Sequence, residues 1–265
     1  MLDLKPRYGP CAVIAGGSYG IGGSFAEQLA TEGLDLVLGA RNGAVLDEFA
    51  AGLRARFPSI TVQTVATDLS TDAGVEALIA GAEGHEVGLF IHNAGTSTQM
   101  RPFLDLDLAY HQTLLRLNAA SMMTLAYHFA QPMARRGRGG IIIVGSLAGI
   151  GGQYGLATYS AAKAFSRVFC EGFWFEMKQH GVDVLGLTPG GTETPSRQRD
   201  FPQVTGTGMS SEAVAREGLE NLTNGPIYFP GDYAQKARAL KAMDFGEAVE
   251  EAYQRNAAFR GDPKA

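Results

Sequence analysis

Apolar positions in this chain follow two alternating rhythms. Short continuous apolar runs end in Gly, Asn, Asp or Thr, and between them lie longer stretches where apolar residues return every three or four positions. The first pattern suits a strand buried on both faces, and the second a helix with one apolar side. Strands are predicted at 11–15, 34–39, 60–66, 87–91, 141–144 and 182–187, with a short seventh at 227–229. Helices are predicted after the first run through Phe25 and Leu29, and around Val45, Leu46, Phe49 and Leu53 up to a stop at Pro58. Further helices are predicted at 71–82, 105–134 (with Asn118 near the middle) and 155–180. Six strand–helix alternations predict one α/β domain over 1–265, a doubly wound parallel sheet of about seven strands with helices on both faces. The order weakens after Thr194: 195–230 reads as a mobile cap with one helical pattern at 211–222, and 232–258 as a helical tail.

Composition narrows the class. Of 265 residues, 45% are hydrophobic and 18% charged, which gives a globular chain ample core. A net charge of −5 without a dense basic run argues against a nucleic-acid partner. Arg135, Arg136 and Arg138 read as a solvated helix end, where cations suit the dipole. Cys11 and Cys170 fall in apolar patterns and read as small core residues, compatible with a reducing cytoplasm. The N-terminus lacks a secretory pattern, no apolar run approaches the ~20 residues of a membrane span, and the five histidines show no metal-ligand spacing.

Most of the candidate chemistry lies at the strand ends. Gly16, Gly20 and Gly22, with Ser18, Tyr19 and Ile21 among them, lie between the first strand and a helix. There backbone N–H groups and the helix dipole can receive a pyrophosphate. The same residues also spell G-x-S-x-G, a nucleophile elbow around Ser18. A hydrolase of that kind needs several strands before its serine and a histidine near the C-terminus, and this chain has neither. At the end of the second strand, 38–42 reads Leu-Gly-Ala-Arg-Asn. An acid there would hold a free ribose; Arg41 with Asn42 instead points to a 2′-phosphate, hence NADP(H) over NAD(H), although Arg41 alone could be a plain surface residue.

Ser146 is followed thirteen positions later by Tyr159, and Tyr159 by Lys163 four positions on. On a helix Tyr159 and Lys163 share one face, and an ammonium beside a phenol favours the phenolate, so the pair could form an acid–base centre. Taken alone, they are ordinary helix residues, and Asn118 is a helix-bending polar residue.

Together these residues resemble the short-chain dehydrogenase/reductase family, from about Ala12 to Thr194. Gly16, Gly20 and Gly22 match its glycine pattern, although Ala15 replaces the usual threonine. Asp68 with Leu69 matches its adenine-contacting pair, and Asn93, Ala94 and Gly95 its N-A-G element. Asn118, Ser146, Tyr159 and Lys163 match its catalytic four, and Pro189, Gly190, Thr192 and Thr194 the element holding the nicotinamide amide. The resemblance implies a Rossmann-type fold and a ketone–alcohol oxidoreductase. Tyr159 would transfer the proton and Ser146 hold the carbonyl oxygen. Lys163 would lower the tyrosine pKa and bind the nicotinamide ribose, and Asn118 would connect Lys163 to solvent through a water. It also implies a homodimer or homotetramer; the stripe of Phe165, Phe169 and Phe173 on the helix bearing Tyr159 reads first as core packing and second as the subunit interface, since family members dimerise through this helix. Tyr19 stands where many NADP-preferring members carry a basic residue.

A substrate pocket is expected from 96–103, 147–154 and 195–229, with Met100, Phe103, Tyr154, Phe201, Met209 and Tyr228 as apolar walls and Arg101, Glu193, Arg197 and Arg199 nearby. These suggest a fairly large, mostly apolar carbonyl compound, steroid-like or lipid-derived. An NADP-binding sensor without turnover is the alternative.

Overall fold

A computed structural model describes residues 4–95 and 99–256. After a short helix α1 (Lys5–Tyr8) the chain enters β1 (Cys11–Ala15), α2 (Gly20–Thr31), β2 (Asp35–Ala40), α3 (Gly43–Arg56) and β3 (Val62–Ala66). The next elements are α4 (Asp72–Gly81) and β4 (Val87–His92), then α5 (Leu108–Leu115), α6 (Ser121–Arg136), β5 (Gly139–Val144), α7 (Ala157–Lys178) and β6 (Val182–Leu187). The last part holds β7 (Thr192–Glu193), α8 (Pro195–Asp200), β8 (Met209–Ser210), α9 (Ser211–Glu220), β9 (Ile227–Tyr228), α10 (Tyr233–Ala242) and α11 (Phe245–Arg255).

Seven strands form one parallel sheet in the order β3-β2-β1-β4-β5-β6-β9. Successive side chains of a strand face opposite layers. From β1, Ala12 and Ile14 join Phe25 and Leu29 of α2 and Leu46 and Leu53 of α3, whereas Cys11, Val13 and Ala15 join Leu78 of α4, Phe129 of α6 and Cys170 of α7. Full burial of one such large side chain stabilises by about 1.5–3 kcal/mol, so a strand with two apolar faces is held from both sides. The strand order reverses between β1 and β4, which opens a crevice at their carboxyl ends. Backbone bonds knit that edge together: Gly16 N–H donates to Gly39 C=O at 2.7 Å and Ala94 N–H to Ala15 C=O at 2.7 Å.

Two expectations change. The helix predicted over 105–134 is interrupted: α5 ends at Leu115, and a wider turn over 116–120 follows, in which Ser121 N–H bonds to Arg116 C=O, five residues back. Side chains drive this, since Asn118 Nδ2 donates to Leu114 C=O (3.0 Å) and Ser121 Oγ to Leu117 C=O (2.9 Å), competing for acceptors that a regular helix would use. The cap expected over 195–230 is also smaller. Helix α9 buries Val214, Ala215, Gly218 and Leu219 in the same layer as α2, so this stretch covers the sheet.

The amino end of the sheet is closed by polar contacts. Tyr8 OH donates to Asp183 (2.7 Å), which also pairs with Arg7 (2.7 Å). Arg136 donates to Val87 C=O, and Arg138 donates to Gly9 C=O and pairs with Glu86, so only exposed Arg135 of the basic cluster behaves as a solvated helix end.

Candidate active site

At the carboxyl ends of the strands lies a cleft of about 1660 Å³ that runs from the glycine loop to Tyr159. On one wall stand Gly16, Ser18, Tyr19, Gly20 and Ile21, followed by Arg41 and Asn42 from the end of β2 and Leu69 after β3. Asn93, Ala94 and Gly95 after β4 form the floor, and Pro189, Gly190, Thr192 and Thr194 after β6 the far side. Ser146, Tyr159 and Lys163 share this cleft. Three sequence candidates do not line it. Gly22 is beneath the loop, where a Cβ would fall 1.9 Å from Gly16 C=O, so only glycine lets α2 start against the loop. Asp68 turns its carboxylate to Ser70, accepting from the Ser70 N–H (2.9 Å) and Oγ (2.8 Å). Asn118 is fully buried.

Asn118 nevertheless borders the centre. Among the described residues its Oδ1 is buried without a partner, and a Cβ at Gly95 would lie 2.3 Å from it and 3.2 Å from Lys163 Nζ, so amide oxygen and ammonium flank the same point. Lys163 is itself buried, and Nζ donates to Val144 C=O at 3.0 Å. Burial pushes its pKa down to about 8. Tyr159 stands in the first turn of α7 and keeps part of its surface open to the cleft. Burial raises its phenol pKa, and the hydrogen bond with Ser146 lowers it. The ammonium lies over the tyrosine ring, 5.8 Å from its centroid, while it donates to the carbonyl at the end of β5. His92, at the end of β4, is held neutral: burial and then the Lys163 charge drive its pKa down to about 3.

The substrate end differs from its expected outline. Met100 and Phe201 line the cleft. Phe103 instead stacks on His111 (4.2 Å between centroids), Tyr154 packs edge-on against Tyr253 (5.0 Å), Tyr228 OH donates to Glu217 (3.1 Å), and Met209 packs into the core. Glu193 and Arg197 pair with each other, while Arg197 also donates to Thr207 (2.8 Å) and Gly208 N–H to Glu193 (2.8 Å), tying β7 and β8 together. Arg199 is bonded to Asp200 (2.8 Å). Of 96–103, residues 96–98 lie outside the described residues.

No pattern in the sequence points to the roof. Tyr233 of α10 packs on Gly190, so closely that a Cβ there would overlap its ring, and its hydroxyl donates to Gly191 C=O (3.2 Å). Lys236 and Leu240 continue that face into the cleft, and Asn256 donates to Gln153 (3.0 Å) across its mouth. The helical tail was predicted, but local periodicity carries no information on which cavity a helix will cover. Ser18, proposed alternatively as a nucleophile, is nearly buried, and among the described residues no histidine is bonded to it. No described helix is long and apolar enough to cross a membrane.

Comparison with known proteins places this geometry. A 7beta-hydroxysteroid dehydrogenase of Clostridium sardiniense is 27% identical over 94% of this chain and 96% of its own length. A very-long-chain 3-oxoacyl-CoA reductase of Neurospora crassa is 36% identical over 67% of this chain, which spans only 54% of that protein. Among solved structures, one described for its insights into 7beta-hydroxysteroid dehydrogenase stereoselectivity superposes with a TM-score of 0.87 at 25% identity, covering 94% of this chain and 98% of the other. A short-chain dehydrogenase from Sphingobium yanoikuyae in complex with NADPH gives 0.79 at 30% identity, with coverages of 87% and 92%. The short chain dehydrogenase family pattern matches residues 10–205, and with the seven-stranded parallel sheet it establishes that this chain belongs to the short-chain dehydrogenase/reductase family of oxidoreductases.

Proposed function

We propose that this protein is an NADP(H)-dependent reductase that interconverts a bulky ketone and its secondary alcohol. The observation that carries the reading is the single cleft joining the glycine loop and Arg41 at one end to Ser146, Tyr159 and Lys163 at the other. The residues fit a dinucleotide: the N-terminus of α2 opens into the cleft, its first turn can approach the loop only because residue 22 is glycine, and Asn93 Nδ2 braces the loop through Gly16 C=O (2.8 Å). Arg41 is exposed and has no ion-pair partner among the described residues, which leaves its guanidinium available to a 2′-phosphate. Gly16 to Ile21 would then hold the pyrophosphate, Leu69 and Ala94 would flank the adenine, and the segment from Pro189 to Thr194 would hold the carboxamide. When bound, the nicotinamide supplies or accepts hydride.

The acid–base work falls to the chain itself. Tyr159 delivers a proton to the carbonyl oxygen in reduction and takes one from the alcohol in reverse, with Ser146 donating a hydrogen bond to the same oxygen. Lys163, readily deprotonated because it is buried, resupplies the proton, and Asn118, through a water, would connect Lys163 to solvent. The likeness to a 7beta-hydroxysteroid dehydrogenase over nearly its whole length supports a polycyclic substrate over an acyl chain. An apolar face exposing Met123 and Tyr127 of α6 and Phe165, Val168 and Phe175 of α7 supports assembly with a second copy.

The test is cofactor oxidation by the purified protein over polycyclic ketones, acyl ketones and sugars. Turnover of a polycyclic ketone with NADPH is expected at about tenfold or more over NADH, and Arg41→Ala is expected to erase that preference, worth about 1.4 kcal/mol or more. Tight NADPH binding with no turnover of any ketone or alcohol would favour the sensor.

A further inference from the structure

Behind Tyr159, on the side away from the cleft, His111 of α5 is buried at 7% exposure. Among the described residues it makes two side-chain hydrogen bonds, and these determine its tautomer. Nε2 is 3.0 Å from Phe103 C=O, an atom that can only accept, so Nε2 carries the proton. Nδ1 of the neutral ring is then an acceptor and takes the hydroxyl proton of Thr158, 2.9 Å away. The ring is also stacked on Phe103 at 4.2 Å.

Thr158 immediately precedes Tyr159, in the first turn of α7. That turn has no side-chain cap: Leu156 occupies the capping position and offers no oxygen, so the first N–H groups of the helix lack the usual local anchor. A helix end of this kind frays readily. A hollow of about 10 Å³, room for no more than about one water, lined by Phe103, His111, Gly155, Thr158 and Tyr159 itself, adjoins the turn on this side. The Thr158–His111 bond spans this region and ties the turn to α5.

We propose that His111 is a positioning residue: through Thr158 it holds the first turn of α7, and with it the Tyr159 hydroxyl, at the distance from Ser146 that proton transfer requires. The inference rests on the oxidoreductase reading for its kinetic consequence, but the tie itself can be tested without turnover.

The experiment compares Thr158→Val, which removes the hydroxyl at nearly constant shape, with His111→Phe, which keeps the stack on Phe103 and removes both bonds. His111→Gln serves as the conservative variant, since its amide offers one acceptor and one donor. Thr158→Val and His111→Phe are each expected to lower kcat by about tenfold to a hundredfold, the scale of a displacement near 1 Å, with NADPH affinity and ketone KM within about twofold of wild type. His111→Gln is expected to recover most of kcat, and the double variant Thr158→Val/His111→Phe to be no worse than His111→Phe alone, because both remove one interaction. In parallel, hydrogen exchange of a peptide covering 155–165 is expected to quicken in Thr158→Val and His111→Phe but not in His111→Gln. Unchanged exchange and a kcat within about twofold of wild type in Thr158→Val would overturn the proposal, as would losses that add in the double variant. A wild-type protein inert toward every ketone would count against the oxidoreductase reading instead, and the exchange data would still decide whether His111 holds the turn.

Discussion

Tyr8 and Tyr159 sit at opposite ends of the same parallel sheet, and both have phenols whose pKa is raised chiefly by burial. Their partners separate them. Tyr8 donates to the Asp183 carboxylate, an acceptor that favours the neutral phenol and raises its pKa further. Tyr159 meets the Ser146 hydroxyl, whose hydrogen bond favours the phenolate, and stands one turn from a buried lysine that keeps its proton weakly. At the amino end, ion pairs and carbonyl acceptors satisfy Tyr8, Arg138 and Asp183. At the carboxyl end, among the described residues, Asn118 Oδ1 has no partner and Lys163 has one carbonyl. Desolvation alone therefore does not make a tyrosine an acid–base group. It must be buried beside groups that welcome its charge.

The contrast is broken most severely by Tyr159→Phe, which removes one oxygen. Turnover is expected to fall by about a thousandfold or more, while NADPH affinity measured by fluorescence titration stays within about threefold. Retained activity would discard the assignment of Tyr159. Lys163→Met comes next. The folded-state pKa of Lys163 is about 8 against an ordinary 10.5, so between those values the unfolded chain binds more protons. Stability is accordingly lost as pH falls from 10.5 to 8, and below 8 the buried cation costs a constant ~3 kcal/mol. Lys163→Met is expected to lose turnover by about a hundredfold yet melt several degrees higher than wild type at neutral pH, with the gap narrowing as pH rises from 8 towards 10.5. A lower melting temperature for the variant at neutral pH would show that the lysine is held more favourably than its burial implies. Tyr8→Phe should have the smallest effect: about 1 kcal/mol less stability in denaturant melts with kcat and KM unchanged. Any kinetic defect there would show that the two ends of the sheet are coupled.

Local patterns carried most of the scaffold. β1 and β6 lie at their predicted bounds because continuous apolar runs bounded by glycine or turn residues have few other ways to be buried. Ser146, Tyr159 and Lys163 were legible because a helix puts i and i+4 on one face wherever it occurs. The break at 116–120 was not, since apolar periodicity persists through a wider turn, and what opens it is a contest between the side chains of Asn118 and Ser121 and the backbone for the same carbonyls. Partner choice was similarly hidden: Glu193 and Arg197 pair off inside the β7–β8 loop, and Phe103 turns to His111.

The sequence alone thus determined the order of strands and helices, the glycine loop and the spacing of Ser146, Tyr159 and Lys163, since each depends on residues close together along the chain. Tertiary structure alone decided that α9 covers the sheet, that α10 and α11 roof the cleft, that Lys163 bonds the carbonyl at the end of β5, and that a histidine 47 positions upstream meets the hydroxyl of Thr158. Those outcomes depend on which surfaces meet when the sheet closes, and residues far apart in sequence meet through the packing of whole elements, which short-range periodicity does not encode.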